Sequence, residues 1–347
     1  MPRKVENGGS AAAAVVEERP TGGGTAHEGE DLLVVEHLDK FFDAGRKRKL
    51  HAVEDVSFSI PRGTTLGLVG ESGCGKTTVG RTIVGLYEPD GGSIRFDGQE
   101  VSELSRKNRK ELTRRMQMVY QDPYASLNPF FTVGEIVAEG LEIHHLCDTA
   151  EERQERVYEL LEQVGLNREH ANRFPHEFSG GQRQRVGLAR SLAVDPEFIV
   201  CDEAISALDV SVQAQIVNLL CDLQEERGIT YLFIAHDLSM VRYISDEVAV
   251  MYLGMIMEKG PSREVYAQPA HPYTQALLTA VPVADPRTER ERAGSEIISG
   301  EVSSPVDPGP GCRFAPRCPH ATERCRCETP ALHDLGGGHM AACHQLE

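Results

Sequence analysis

The chain has 347 residues, long enough to bury a large core and to form two or three domains. Its 36 basic and 53 acidic residues leave a net charge of −17, which argues against a broad nucleic-acid surface and predicts no nucleic-acid partner. No apolar run approaches the roughly 18 residues of a membrane span, and the N-terminus lacks a signal-peptide core, so the chain is not expected to cross a membrane by itself.

Residues 1–30, with Gly8-Gly9, Ala11 to Ala14 and Gly22 to Gly24, have a linker composition and are expected to be disordered. Leu32-Leu33-Val34-Val35-Glu36 starts the first strand, and Arg46-Lys47-Arg48-Lys49 reads as a solvated loop rather than an anion site. Val53, Val56, Phe58 and Ile60 carry the alternation of a half-exposed antiparallel strand. Thr65 to Val69 is a short buried strand that runs directly into Gly70, Glu71, Ser72, Gly73, Cys74, Gly75, Lys76, Thr77 and Thr78, which fit the spacing G-x-x-x-x-G-K-[ST].

The glycines of that stretch let successive N–H groups turn inward around an anion. Lys76 adds a point charge for the β- and γ-phosphates, and the Thr77 hydroxyl is placed to ligate Mg²⁺. The helix that follows, Thr77 to Val84, points its dipole and free N–H groups at the same place. Strand, loop and helix together predict a nucleoside-triphosphate site. Cys74 sits at that helix N-terminus, where its thiol pKa is expected to fall, although a small packing residue is the simpler role.

Ile94 to Gly98 reads as a strand and turn, and residues 103–115 and 150–164 have helical spacing, the latter with Val157, Leu160, Leu161 and Val164 on one face. Phe178-Ser179-Gly180-Gly181-Gln182 precedes a helix from Arg183 to Leu192, so a second set of N–H groups and a serine hydroxyl stand at a helix N-terminus. One ATP does not need two such loops from one chain, which implies that the second serves a nucleotide held by another subunit. Residues 197–201 form a buried strand that delivers two adjacent carboxylates, Asp202 to hold Mg²⁺ through its water shell and Glu203 to polarise the attacking water. Ile229 to Ala235 is a further buried strand ending at His236. The reading is an α/β nucleotide-binding core with a helical insertion at about 122–180 and a separate C-terminal segment from near 262.

In this order, the phosphate loop at 70–78, Gln121, the signature at 178–182, Asp202-Glu203, Ser206-Ala207-Leu208-Asp209 and His236 resemble the ATP-binding subunit of an ATP-binding-cassette transporter. The resemblance implies a P-loop NTPase cassette over 31–261, with a RecA-like core, an antiparallel β subdomain and the helical insertion. It implies that ATP and Mg²⁺ are bound, with Thr77, Gln121 and Asp202 around the metal and Glu203, His236 and Gln121 in the catalytic roles. His236 would contact the γ-phosphate, and Ser179, Gly180, Gly181, Gln182 and Asp209 would act across a dimer interface. Phe42 occupies the place of an aromatic that stacks on adenine, with Phe41 the alternative. Phe178 stands where the family usually has Leu, and Ala204 where it commonly has Pro; the loss of a fixed φ there is expected to loosen the turn.

Tyr120 to Pro129, His271 to Leu278 and the cysteine-rich tail are similar to the oligopeptide/dipeptide importer ATPases, so the resemblance spans about residues 32–347. Of nine cysteines, Cys312, Cys318, Cys325, Cys327 and Cys343 cluster in the extension over 262–347. Clustered thiols in a reducing compartment favour a metal, yet the spacing lacks the tight C-x₂-C pairs of many zinc sites. The family resemblance implies a [4Fe–4S] cluster on Cys312, Cys318, Cys325 and Cys343, with Zn²⁺ or no metal as alternatives and Cys327 as a substitute for Cys325. It implies a peripheral subunit on the cytoplasmic face of the cell membrane, working with two permease subunits, a second ATPase and an external substrate-binding protein. Nickel or another small solute is the rival cargo, and a soluble non-transport cassette ATPase is the rival from another class.

Overall fold

The computed structural model describes residues 30–102, 106–206, 208–280 and 304–346. The disorder expected over 1–29 and the first residues of the helix expected from 103 lie outside the described residues, as does Ala207. β1 (Asp31–Asp43) and β2 (Lys49–Pro61) pair antiparallel, with Arg46, Lys47 and Arg48 exposed in the turn between them. On β2, Val53, Val56, Phe58 and Ile60 are buried, as their alternation requires. β3 (Thr65–Val69) is buried at every residue and leads through the glycine loop into α1 (Lys76–Ile83). β4 (Gly91–Phe96) and β5 (Gln99–Glu100) complete an antiparallel sheet of order β2-β1-β4-β5.

α2 (Arg106–Arg115) and β6 (Met116–Val119) precede α3 (Val133–Ile143), α4 (Ala150–Gln163) and α5 (Gly180–Leu192). α3 starts on a capping box in which the Glu135 N–H donates to Thr132 Oγ1 at 3.3 Å and the Thr132 N–H donates to the Glu135 carboxylate at 2.7 Å. Val157, Leu160, Leu161 and Val164 are buried in one cluster with residues of α3 and α5, the stripe their helical spacing produces.

β7 (Phe198–Asp202), α6 (Val210–Arg227), β8 (Thr230–Ala235), α7 (Leu238–Ile244) and β9 (Glu247–Tyr252) alternate strand and helix. β7 and β8 are buried throughout, which suits parallel strands covered on both faces. β10 (Met255–Pro261), α8 (Ser262–Ala267), α9 (Pro272–Thr279), α10 (Glu323–Cys327), β11 (His333–Gly336) and β12 (His339–Ala341) follow. The second sheet runs β11-β12-β10-β9-β3-β8-β7-β6, parallel from β9 to β6 and antiparallel outward from β9.

The C-terminal segment packs directly onto the core. β12 pairs with β10 through Ala341 opposite Glu258 and Met340 opposite Lys259, so its hairpin widens the larger sheet. The Glu258 side chain is fully buried and accepts from the N–H groups of Ala270 (2.8 Å) and His271 (2.9 Å), and it lies 2.7 Å from His339 Nε2. Tyr252, Tyr273 and Phe314 meet with ring centroids 4.7–5.4 Å apart, which ties β9, α9 and the cysteine-bearing stretch into one apolar cluster.

Candidate functional site

β3, β6, β7 and β8 run parallel, so their C-terminal ends fall on one edge of the sheet. β3 delivers the glycine loop there, β6 ends just before Gln121, β7 delivers Asp202 and Glu203, and β8 ends at His236. This is where an open α/β sheet binds its ligand. A cavity of about 230 Å³ opens at this edge, lined by the loop residues Ser72 to Thr78 together with Phe42, Gln121, Glu203 and Pro305. A larger groove of about 540 Å³ lies at the opposite ends of the strands, among Arg62, Asp195, Glu197 and Arg227. It holds none of the phosphate-binding elements.

The loop is shaped by what glycine permits. Gly75 has φ +112, and a Cβ there would meet the Ala52 carbonyl oxygen at 2.1 Å; Gly70 has φ +153, and its Cβ would meet the Met251 carbonyl oxygen at 2.1 Å. Gly75 caps α1 with no side-chain hydrogen bond, which leaves the first N–H groups of the helix to an anion. Lys76 is almost fully buried, and its Nζ donates to the carbonyls of Gly70 (2.7 Å) and Glu71 (3.0 Å). Cys74 corrects one expectation. Burial pushes its thiol pKa up, and this outweighs the nearby Lys76 charge and the helix terminus.

The two carboxylates have separate surroundings. Asp202 is buried and accepts from Thr77 Oγ1 at 2.7 Å; burial raises its pKa against the opposing pull of that hydrogen bond. The Glu203 carboxylate accepts from Gln121 Nε2 at 2.6 Å and lies 4.0 Å from Lys76 Nζ and 3.9 Å from His236 Nδ1. Its backbone is left-handed, φ +46, at a cost of about 1–2 kcal/mol for a residue with a Cβ. The turn after it is closed by Ser206, whose N–H (3.1 Å) and Oγ (3.0 Å) both donate to the Glu203 carbonyl, while Ala204 packs in the core. Gln121, His236 and Lys76, far apart in sequence, thus converge on the Glu203 carboxylate.

The signature stands elsewhere. Ser179, Gly180, Gly181 and Gln182 do not line the cavity; they head α5, where Ser179 and Gln182 cap one another and the two glycines lie beside Leu208 and Val212. Asp209 caps α6 and accepts from the Val212 N–H at 3.0 Å. Phe42 lines the cavity and packs edge-on against Tyr87, whereas Phe41 is turned to His51 and Lys49. The Gln121 loop is tied to α5, because Arg190 Nη1 donates to the Ser126 carbonyl at 2.6 Å and Arg183 stacks 3.7 Å over Tyr124.

Cys312, Cys318, Cys325 and Cys343 line one small cavity of about 20 Å³, and the exposed Cys327 does not. Burial pushes the Cys312 thiol up to about 11, with Cys325 and Cys318 adding to the shift. Among the described residues, no group of three or more His, Cys, Asp or Glu side chains is arranged to hold a metal ion. Three residues beside the phosphate loop carry no sign in the sequence that they belong there. Arg317 grips the Glu71 side chain, the Tyr273 hydroxyl accepts from the Glu71 N–H at 3.0 Å, and Pro305 walls the cavity beside Phe42. They lie some 200 or more residues from the loop, and no spacing links them to it.

Comparison with known proteins gives two family matches, ABC transporter over residues 53–206 and oligopeptide/dipeptide transporter, C-terminal region, over 257–325. The putative oligopeptide transport ATP-binding protein YkfD of Bacillus subtilis (strain 168) is 54% identical over 313 residues, 90% of this chain and 95% of that protein. The oligopeptide transport ATP-binding protein OppF of the same organism is 61% identical over 76% of this chain and 86% of its own length. Among solved structures, cbiO1 from Clostridium perfringens, part of the ABC transporter complex cbiONQ, aligns with a TM-score of 0.61 at 30% identity, covering 69% of this chain and 92% of that one. The ATP-binding cassette MJ0796, in a dimeric post-hydrolysis state with ADP and Pi, aligns at 0.60 and 28% identity, covering 67% of this chain and 99% of its own.

Proposed function

The chain belongs to the ATP-binding-cassette transporter family as an ATP-hydrolysing subunit, and from that premise we propose that it drives import of di- and oligopeptides through two permease subunits. The cargo class is supported by the match of residues 257–325 to the oligopeptide/dipeptide transporter C-terminal region and by the names of the relatives. The observation that carries the chemistry is the convergence of Gln121, Lys76 and His236 on the Glu203 carboxylate beside the phosphate loop.

ATP would sit on the loop residues Gly70 to Thr78, with its base against Phe42. Lys76 exchanges its two carbonyl partners for phosphate oxygens. Glu203 takes a proton from water as that water attacks the γ-phosphorus and the bond to the bridging oxygen breaks, releasing ADP and phosphate. Gln121, already bonded to Glu203, would orient the water, and the exposed His236, 3.9 Å from Glu203, would donate to the γ-phosphate. Thr77 and Asp202 are hard oxygen donors held together, a fit for Mg²⁺, with Gln121 the third candidate. When bound, Mg²⁺ neutralises charge on the β- and γ-phosphates.

The working unit we propose is a dimer with a second ATPase, the same chain or a sister. In it Ser179, Gly180, Gly181, Gln182 and Asp209 face the partner's ATP. The exposed Tyr124, Phe130 and Phe131, next to Gln121 in sequence, would take a cytoplasmic helix of the permease. The subunit would then lie peripherally on the cytoplasmic face of the membrane, in a transporter supplied by an external binding protein. The four thiols around one cavity are soft donors suited to a [4Fe–4S] cluster or Zn²⁺, and their role is structural. Iron, sulfide and zinc analysis after anaerobic purification decides between these and no metal. The function itself is tested by reconstituting the chain with its co-purifying permeases in vesicles: ATP-driven peptide uptake supports it, and uptake of a metal ion or another solute with no peptide transport overturns it.

A further inference from the structure

We propose that Arg317, in the cysteine-rich extension, is a positioning residue of the nucleotide site: through Glu71 it holds the start of the phosphate loop, so that ATP affinity depends on the extension. The proposal rests on reading Gly70 to Thr78 as the phosphate loop. Arg317 Nη1 donates to Glu71 Oε2 at 2.8 Å and Nη2 to Glu71 Oε1 at 3.0 Å, a two-pronged contact whose planar geometry only a guanidinium supplies. The Arg317 side chain is 8% exposed and lies 5.7 Å over the Tyr252 ring. Its Nε is buried without a hydrogen-bond partner among the described residues, so the group is aimed at Glu71 rather than arranged to satisfy itself.

Glu71 is held at every polar atom. The Tyr273 hydroxyl, also from the C-terminal segment, takes its N–H at 3.0 Å; Lys76 Nζ (3.0 Å) and the Cys74 N–H (3.3 Å) hold its carbonyl; Arg317 holds its carboxylate. Gly73, Gly75 and Lys76 are thereby registered against a residue whose contacts from outside the loop come, among the described residues, from Tyr273 and Arg317. A second contact reaches the same cavity from another side. The His51 N–H donates to the Pro305 carbonyl at 3.0 Å, Asp307 bonds Lys49 through both backbone and side chain, and Pro305 walls the cavity.

Arg317 also neutralises Glu71. Without it, a half-buried carboxylate stands uncompensated beside the place where the phosphates bind, and both the charge and the loosened loop disfavour ATP. The guanidinium is anchored in the turn that carries the thiols, since the Arg317 N–H donates to the Phe314 carbonyl at 3.0 Å and Cys318 follows it directly.

Equilibrium binding of a fluorescent N-methylanthraniloyl ATP to the full-length chain tests this. Arg317→Met is expected to raise Kd about tenfold, and adding Glu71→Gln, which removes the stranded charge, should recover most of the loss. Arg317→Lys, which keeps charge and stem but not the fork, is expected to raise Kd about threefold and serves if the Met variant does not fold. In the assembled transporter the Met variant should raise KM for ATP while kcat at saturation stays within about twofold, a split that general destabilisation does not produce. An unchanged Kd in both Arg317 variants overturns the proposal, as does a rise that Glu71→Gln fails to relieve. Lys76→Ala is the separate control: if it binds the nucleotide like the unaltered chain, the phosphate-loop reading falls, whatever Arg317 does.

Discussion

Glu203→Gln separates chemistry from binding at this site. The amide keeps the shape of the side chain and an oxygen that can still accept from Gln121 Nε2, now 2.6 Å away, and the left-handed backbone at φ +46 is no worse for Gln than for Glu. What is lost is the base and one negative charge. A positioned general base contributes about 10²- to 10⁴-fold, so turnover should fall by that factor. The charge acts on affinity in the opposite direction. Lys76 Nζ is 4.0 Å from the carboxylate, an attraction of about 4 kcal/mol at a near-surface dielectric before desolvation is subtracted. Removing it leaves Lys76 with carbonyl partners, which phosphate oxygens displace readily. Phosphate release by the assembled transporter, with nucleotide binding measured on the same preparation, should therefore show a collapse in kcat with Kd unchanged or tighter. Turnover within about tenfold of the unaltered protein refutes Glu203 as the base. A large rise in Kd instead makes it a prop of the loop.

Asp202→Asn should stabilise the nucleotide-free chain near pH 7 and abolish Mg²⁺-dependent binding. The Asp202 carboxyl is held above its ordinary value of 3.8, first by burial, so its contribution to stability is full at low pH and is lost as pH rises through the folded value. The unfolding midpoint of the variant should accordingly gain on the parent as pH increases from about 4 to 7, by roughly 2–4 °C per kcal/mol recovered; no gain would mean the charge is already compensated. Gly75→Ala should abolish ATP binding, because its Cβ would press on the Ala52 carbonyl at 2.1 Å, and a binding isotherm close to that of the parent would contradict the loop geometry. With maleimide near neutral pH, the exposed Cys327 should react first and the buried Cys74 slowly, accelerating as pH rises toward its elevated pKa; mass spectrometry showing early labelling of Cys74 would contradict its burial. The isolated chain should bind ATP but show a specific ATPase activity that grows with protein concentration, and constant activity over about a hundredfold dilution would show the loop working alone.

The sequence exposed the elements whose chemistry is local. A loop that must wrap an anion needs glycines and a lysine in a row, and a strand buried on both faces needs Phe198 to Cys201 uninterrupted, so both could be read directly. Their convergence was legible only as far as the parallel order of β3, β6, β7 and β8 could be guessed, because Gln121, Glu203 and His236 meet through sheet topology rather than through spacing. The helix dipole at Cys74 was legible and misleading: burial, which no neighbouring residue announces, dominates there. The union of the extension with the sheet was not legible, since the pairing of Met340 and Ala341 with Lys259 and Glu258 spans some 80 residues and relies on a fully buried glutamate that sequence alone would place at the surface. The same holds for the grip of Arg317 on Glu71.

The separation of the two glycine-bearing helix ends explains why a chain with a complete set of catalytic groups should still need a partner. The cavity beside α1 has its lysine, the Glu203 carboxylate and its glutamine, but none of the signature residues lines it. The donors at the head of α5 lie off that cavity, with Ser179 and Gln182 capped on each other and the adjoining glycines packed on Leu208 and Val212. A γ-phosphate on the loop therefore cannot use this chain's own signature without a rearrangement that would break the packing of α5 onto α3 and β6. In the dimer proposed above, two chains placed head to tail would supply each other's missing wall with no such cost. Closure of that pair would also move the Gln121 loop, because Arg190 and Arg183 tie it to α5, so the segment bearing Tyr124, Phe130 and Phe131 shifts together with the signature. On that proposal hydrolysis and the force on the permease would be consequences of one movement, and ATP bound to an unpartnered chain would be left intact.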